Sequence, residues 1–289
     1  MRNFILISLI LLIFTSCNQH KQQDEINKLK KENDFLRIKL NEQKNMYKSL
    51  NDKILYSRNS PESSETLKEL KKTLNQSSNQ LKIITTGKFH GDEIENNFKD
   101  LDWYGLFIEN DKYFLKKTKI MIESVFDPIA DSKGDKTGIK VFVPDIDTKP
   151  FILINGLNKI QEKQIESVKI NKIYLNPGDG LNIEFNGDMI CFNAYGSVYP
   201  DQGLRNYLIR VSSRNDKHKV KQVIAATDGF DDAMYKFIWA GDIDQDGKLD
   251  LIMDLSDHYN MSKITLFLSS MAEEGELFKN VAEFITVGC

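Results

Sequence analysis

An acidic segment near the C-terminus constrains the fold more than any other part of the chain. Between Asp228 and Asp257 there are nine aspartates and two lysines, which gives this stretch a local charge of about −7. So many like charges repel one another in a folded chain unless a counter-charge neutralises them. A hard divalent cation is one such counter-charge, because it prefers oxygen ligands.

The spacing of four of these aspartates suits a calcium loop. Calcium takes about six to eight oxygen ligands in flexible geometry. Alternate aspartates in a tight turn can point toward one centre, a backbone carbonyl can join them, and a last aspartate can close the ring. Gly247 permits the positive φ that such a turn requires. The predicted ligands are Asp242, Asp244, Asp246, Lys248 through its carbonyl, and Asp250. The alternative is a solvated acidic turn without a metal.

Residues 241–251 (Gly-Asp-Ile-Asp-Gln-Asp-Gly-Lys-Leu-Asp-Leu) resemble the Asp-x-Asp-x-Asp-Gly-x-x-Asp loop of FG-GAP and VCBS-type repeats and of dockerin. In propeller repeats of the integrin type this loop lies between strands and binds calcium, so the resemblance implies calcium as the cofactor of loop 242–250. An EF-hand is excluded because its twelfth position, a glutamate in that family, is Met253 here. One copy does not imply a propeller, which needs several blades.

The first sixteen residues have the composition of a secretory signal peptide. One positive charge precedes an apolar run at 4–14, which is short for a membrane span. Phe14-Thr15-Ser16-Cys17 resembles the lipobox of bacterial lipoproteins. That resemblance implies cleavage before Cys17, acylation of Cys17 with lipid such as palmitate, and a tether at 17–23. Simple secretion, a retained anchor and a buried apolar helix are the alternatives.

A heptad pattern follows the tether. Its a and d positions are Ile26, Leu29, Asn33, Leu36, Leu40, Gln43, Tyr47, Leu50 and Ile54. Seven of these nine residues are apolar and polar residues separate them, which favours a coiled coil. We therefore predict a helical stalk at 24–84 and a homo-oligomer formed through 24–57. The alternative is a lone helix that packs on the protein's own β-domain.

From residue 85 the pattern changes to short runs of aromatic and β-branched residues separated by turns. More than ten such runs predict a β-rich domain of antiparallel strands at 85–289. Asn186-Gly187 between two apolar runs is the strongest hairpin signal. Residues 169–175 are predicted as a strand, and 274–284 as a short helix or a final hairpin. The predicted fold class is thus mainly β with an N-terminal α-helical coiled-coil stalk.

Two cysteines remain if Cys17 is acylated. Cys191 and Cys289 would pair in an oxidising envelope, and the alternative is two free thiols. Removal of residues 1–16 takes away one arginine and moves the net charge from −3 to −4. This modest charge argues against nucleic acid as the partner.

No catalytic constellation stands out. The Gly-x-Ser-x-Gly, His-Glu-x-x-His and phosphate-loop motifs are absent, so no catalytic residue is assigned. His258 follows the acidic loop and could lie near the metal, where a lone histidine is more often structural or exposed than catalytic. The sequence favours a lipoprotein of the cell envelope, at the outer membrane of a Gram-negative cell, whose calcium-stabilised β-domain binds or scaffolds a protein or glycan. The alternative is an envelope hydrolase that acts on a surface polymer.

Overall fold

The computed structural model describes residues 28–30, 33, 37, 81–144, 148–213 and 220–288. The chain divides into two compact units, Met1–Lys53 and Ile54–Cys289. The five described residues of the first unit are helical and exposed. In the second unit the described residues form a β-domain.

Sixteen strands make up the regular structure of residues 81–288 as far as they are described, together with one short 3-10 helix at Asn96–Asp100. The strands are β1 Lys82–Ile84, β2 Gly87–Phe89, β3 Trp103–Glu109, β4 Lys112–Thr118, β5 Met121–Val125, β6 Gly138–Phe142, β7 Ile152–Asn155, β8 Lys163–Ile165, β9 Gly180–Phe185, β10 Asp188–Tyr199, β11 Gly203–Ser213, β12 Lys221–Gly229, β13 Lys236–Gly241, β14 Asp250–Asp254, β15 Met261–Leu268 and β16 Lys279–Val287.

These strands form four antiparallel sheets. Sheet A has the order β1-β7-β3-β4-β8, and sheet B has the order β2-β6-β5. Sheet C is the meander β13-β14-β15-β16, and sheet D is the meander β12-β11-β10-β9. The first eight strands therefore build sheets A and B, and the last eight build the two meanders.

Sheet C is buried on both faces. Side chains alternate between faces along a strand, and on β14 Ile252 faces one apolar cluster while Leu251 and Met253 face another. The first cluster joins sheet C to sheets A and B, and the second joins it to sheet D. All three side chains are at most 1% exposed. Double burial explains why β14 is a continuous apolar run where a strand with one wet face would alternate.

The predicted Asn186-Gly187 hairpin is confirmed. Phe185 pairs with Asp188 across the two-residue turn, and both turn residues have positive φ, 47° and 86°. This backbone twist matches the twist of the flanking strands β9 and β10, which is why Asn-Gly is favoured there. The rest of β9 alternates between exposed and buried side chains, as expected for a strand with one wet face.

The predicted coiled-coil stalk is wrong. In the part of the chain that the structure describes, four antiparallel sheets dominate and there is no coiled coil. Leu29, assigned to a d position, is 59% exposed, whereas a coiled-coil seam needs a second helix to bury it. Ile83 and Ile84, placed in the stalk by the prediction, are buried in β1, where β-branched side chains pack well. Residues 28, 30, 33 and 37 are helical and exposed like Leu29, and the stalk residues other than these and 81–84 lie outside the described residues.

Two other predictions near the C-terminal half have opposite outcomes. Residues 169–175 form no strand, although the carbonyls of Ile173 and Leu175 accept hydrogen bonds from Phe237 N and Tyr207 Oη. Of the two alternatives for 274–284, the final hairpin is right, since β16 pairs with β15 over its length. Within 169–175 only Leu175 is buried, whereas Ile173 and Tyr174 are 41% and 43% exposed.

The buried hydroxyl of Tyr207 gives a test of the sheet D core. Tyr207 is fully buried and donates to the Leu175 carbonyl at 2.6 Å. We expect Tyr207→Phe to lower the free energy of unfolding by about 1–3 kcal/mol, because the carbonyl loses its buried donor. Urea unfolding of the full chain measures this. Tyr199→Phe, at a residue that is 45% exposed, is the control and should change stability by less than about 0.5 kcal/mol. Equal stability of the two variants would contradict the role of this hydrogen bond.

Candidate metal centre

The acidic loop joins β13 to β14, and its base rests on another part of the chain. Gly241 forms a bridge with Ser167, and Asp242 N donates to the carbonyl of Glu166 at 3.0 Å. A Cβ at Gly241 would lie 2.3 Å from that same carbonyl oxygen. Glycine is therefore required at this point, because the segment after β8 packs directly on the backbone of β13.

Two residues of the loop have positive φ. Gly247 has φ 85°, as the sequence predicts, and Gln245 has φ 66°. Positive φ is uncommon for a residue with a side chain. Gln245 is held there by two hydrogen bonds to Gln161: its Oε1 accepts from Gln161 N at 3.2 Å, and its Nε2 donates to Gln161 O at 2.7 Å. This long-range clasp fixes the turn that aims the aspartates.

Three of the four predicted aspartates converge. Asp242, Asp244 and Asp250 each offer one carboxylate oxygen, and these oxygens all lie within 4.8 Å of one another. Asp250 is fully buried, whereas Asp242 and Asp244 are half-buried. The carboxylates of Asp242 and Asp244 are therefore partly accessible to solvent, whereas that of Asp250 is not.

Asp250 is the fixed member of the group. Its Oδ2 accepts a hydrogen bond from Ile243 N at 2.9 Å. Its Oδ1 accepts from Ser269 N at 2.9 Å and from Ser269 Oγ at 3.3 Å. The carboxylate of Asp250 is thereby oriented by the loop on one side and by the end of β15 on the other.

The two outer carboxylates are held by shorter-range contacts. Asp242 accepts from the amides of Asp246 and Gly247, both at 3.0 Å. Asp244 accepts from the hydroxyl of Ser270. The Ser269 and Ser270 hydroxyls were not among the residues predicted for this centre. Their only sequence signal is their position directly after β15, the strand that pairs with β14.

Burial and mutual repulsion act together on the three carboxylates. Burial raises the pKa of Asp242 and of Asp244 above the ordinary range, and neighbouring aspartates raise both further. The pKa of Asp250 is raised well above its ordinary range. Burial is the largest cause, and the charge of Asp244 is the next. Backbone donors oppose these effects without cancelling them. The ionised group is therefore short of positive charge.

The other two predicted ligands are placed differently. Asp246 is exposed, lies outside the converging group, and accepts the amide of Lys248 at 2.8 Å. This contact makes Asp246 a support of the turn. Calcium ligation by Asp246 and by the Lys248 carbonyl stays a prediction.

Of the remaining predicted residues, His258 and Cys191 are not members of the carboxylate group. His258 faces Asp231, with 2.8 Å between Nε2 and Oδ2. Cys191 is buried, while Cys17 and Cys289 lie outside the described residues, so acylation and the disulfide stay predictions. Within the described ranges no helix has the length and apolar character to cross a membrane.

The donor set suits a hard cation. Every side-chain donor at the centre is a carboxylate or hydroxyl oxygen, which calcium and magnesium prefer, and the thiolates and imidazoles that select zinc are not part of the group that the structure describes. The ligand chemistry thus fits the predicted calcium loop.

Comparison with known proteins gives no relative: no family model, no curated protein and no solved structure matches the chain.

Proposed function

We propose that the chain is a lipid-anchored cell-envelope protein whose calcium-stabilised β-domain acts as a binding or scaffolding module. The observation that carries the calcium part is the convergence of the Asp242, Asp244 and Asp250 oxygens. The lipobox-like segment ending at Cys17 supports the anchor.

The contacts around the loop support a structural role for the cation. Asp250 opens β14 in sheet C, and the loop tip is clasped to Gln161, which lies between β7 of sheet A and β8. Asn186, in the turn between β9 and β10 of sheet D, donates from Nδ2 to the carbonyl of Gly247 at 2.9 Å. A cation bound at this loop would therefore hold in place a segment that contacts sheets A, C and D or their turns. Such a role is structural and involves no substrate.

Calcium should raise the unfolding temperature of the full chain. At a calcium concentration about 100-fold above Kd, binding to the folded state adds about 2.7 kcal/mol, and Kd for extracellular modules is about 10⁻⁴–10⁻³ M. For a domain of this size, that energy corresponds to a rise of roughly 5–10 °C. Differential scanning calorimetry with calcium or with a chelator measures the rise.

Two variants make this test specific. Asp244→Ala should remove the calcium-dependent rise, because the group loses one of its three converging carboxylates. Asp201→Ala, at an exposed aspartate in the turn between β10 and β11, should keep it. A wild-type chain whose unfolding temperature ignores calcium would refute the metal proposal.

The anchor has its own test. When the chain is produced in a bacterium supplied with labelled palmitate, the membrane fraction should contain labelled protein. Cys17→Ala should carry no label and should leave that fraction, since the acylated residue is gone. Unlabelled, soluble wild-type protein would show that the anchor does not exist, and it would leave the calcium proposal untouched.

A further inference from the structure

A groove lies beside sheet B, outside the acidic loop. Its walls are the end of β2 with His90, the segment 126–129 that follows β5, and the end of β16. The cavity has a volume of about 610 Å³, which is within the range of about 300–1,000 Å³ for small-molecule sites.

The rim of the groove is apolar and exposed. Phe126, Ile129 and Val287 line it and are 51%, 60% and 49% exposed. Single exposed apolar residues are ordinary on a protein surface, but a cluster of them around a concavity marks a binding surface. These three side chains offer contact to an aliphatic or aromatic group.

A buried carboxylate lies beneath this rim. Asp127 is 3% exposed and accepts hydrogen bonds from Ile129 N at 2.9 Å and Ala130 N at 3.4 Å. Its Oδ2 lies 2.6 Å from His90 Nδ1. The hydrogen bond from His90 is the main cause that lowers the pKa of Asp127, and the backbone donors add to it. Asp127 is therefore ionised and holds the proton of His90 on Nδ1.

This pairing leaves the other ring nitrogen available. Nε2 of His90 has no hydrogen-bond partner among the residues that the structure describes. The hydrogen bond to Asp127 raises the pKa of His90, and the charges of Asp127, Glu93 and Asp92 raise it further, against an opposing effect of burial. The ion pair with the buried Asp127 carboxylate favours the protonated imidazole, in which Nε2 is a donor.

Two other charged residues, Glu93 and Lys88, line the groove. Glu93 is already used, because its Oε2 accepts from His90 N at 2.9 Å and its Oε1 accepts from Val287 N at 2.5 Å. Lys88 also lines the groove and adds a second cation. The groove therefore offers two cationic groups, His90 and Lys88, with apolar surface around them. The carboxylates of Glu93 and Asp127 already accept hydrogen bonds from the protein itself.

We propose that this groove binds an aliphatic monocarboxylate of the fatty-acid type. The carboxylate accepts a hydrogen bond from His90 Nε2, Lys88 adds electrostatic attraction, and the alkyl chain packs on Phe126, Ile129 and Val287. One imidazole donor beside one amine suits a single carboxylate, whereas a phosphate or a sugar would need more donors than the walls present. The proposal is independent of the calcium loop.

Isothermal titration calorimetry of the full chain tests it, with sodium octanoate as the probe and n-octanol as the uncharged match, both at pH 7. Octanoate should bind about tenfold or more tightly than octanol, because a hydrogen bond to a charged group adds that much affinity. His90→Gln should weaken octanoate binding severalfold or more and leave octanol binding unchanged, because the imidazolium donor is lost while Lys88 remains. His258→Gln, which alters the half-buried histidine paired with Asp231, should bind octanoate as the wild type does.

A second variant guards against loss of folding. Ile129→Asp changes a residue that is 60% exposed, so the fold should tolerate it, while the new carboxylate repels octanoate and interrupts the apolar wall. Octanoate binding should fall by at least tenfold, with an unchanged unfolding temperature. If His90→Gln does not fold, this variant decides. Absence of octanoate binding at millimolar concentration, equal binding of octanol, or wild-type affinity in the variants would each overturn the proposal.

Discussion

The burial of one carboxylate, Asp250, fixes the arrangement of the acidic loop between β13 and β14. It opens β14, the strand at the heart of the central sheet, and its oxygens accept from Ile243 N on the loop and from Ser269 after β15. Burying a charge is costly unless partners compensate it. The backbone donors compensate part of that cost and orient the carboxylate, and the two neighbouring aspartates then add negative charge in the same place. The excess of negative charge at the loop thus follows from the packing of the sheet as much as from the composition of the loop.

The two candidate sites of the domain differ in how their charged groups are arranged. At the loop, three carboxylates share one centre, and their repulsion would be relieved by an ion. At the groove, a single buried carboxylate, Asp127, polarises a histidine and leaves a donor facing an apolar rim. The first arrangement suits stabilisation of the fold. The second suits recognition of an organic ligand.

The sequence predicted those features that local chemistry determines. The Asn186-Gly187 turn, the positive φ of Gly247 and the many short strands are encoded within a few residues each. Features that depend on distant parts of the chain were not predicted. His90 and Asp127 are 37 residues apart, and Ser269 meets Asp250 only because β15 pairs with β14. The predicted end of the stalk at residue 84 was wrong for the same reason, since Ile83 and Ile84 owe their strand conformation to β7.

The double burial of sheet C has a further consequence. Two apolar cores in one chain could in principle melt separately, as the cores of two domains do. Here β14 contributes Ile252 to one core and Leu251 to the other from adjacent positions, so neither core survives without the strand they have in common. We therefore expect the β-domain to unfold in one cooperative transition, so that a substitution at either face of the shared sheet destabilises both cores.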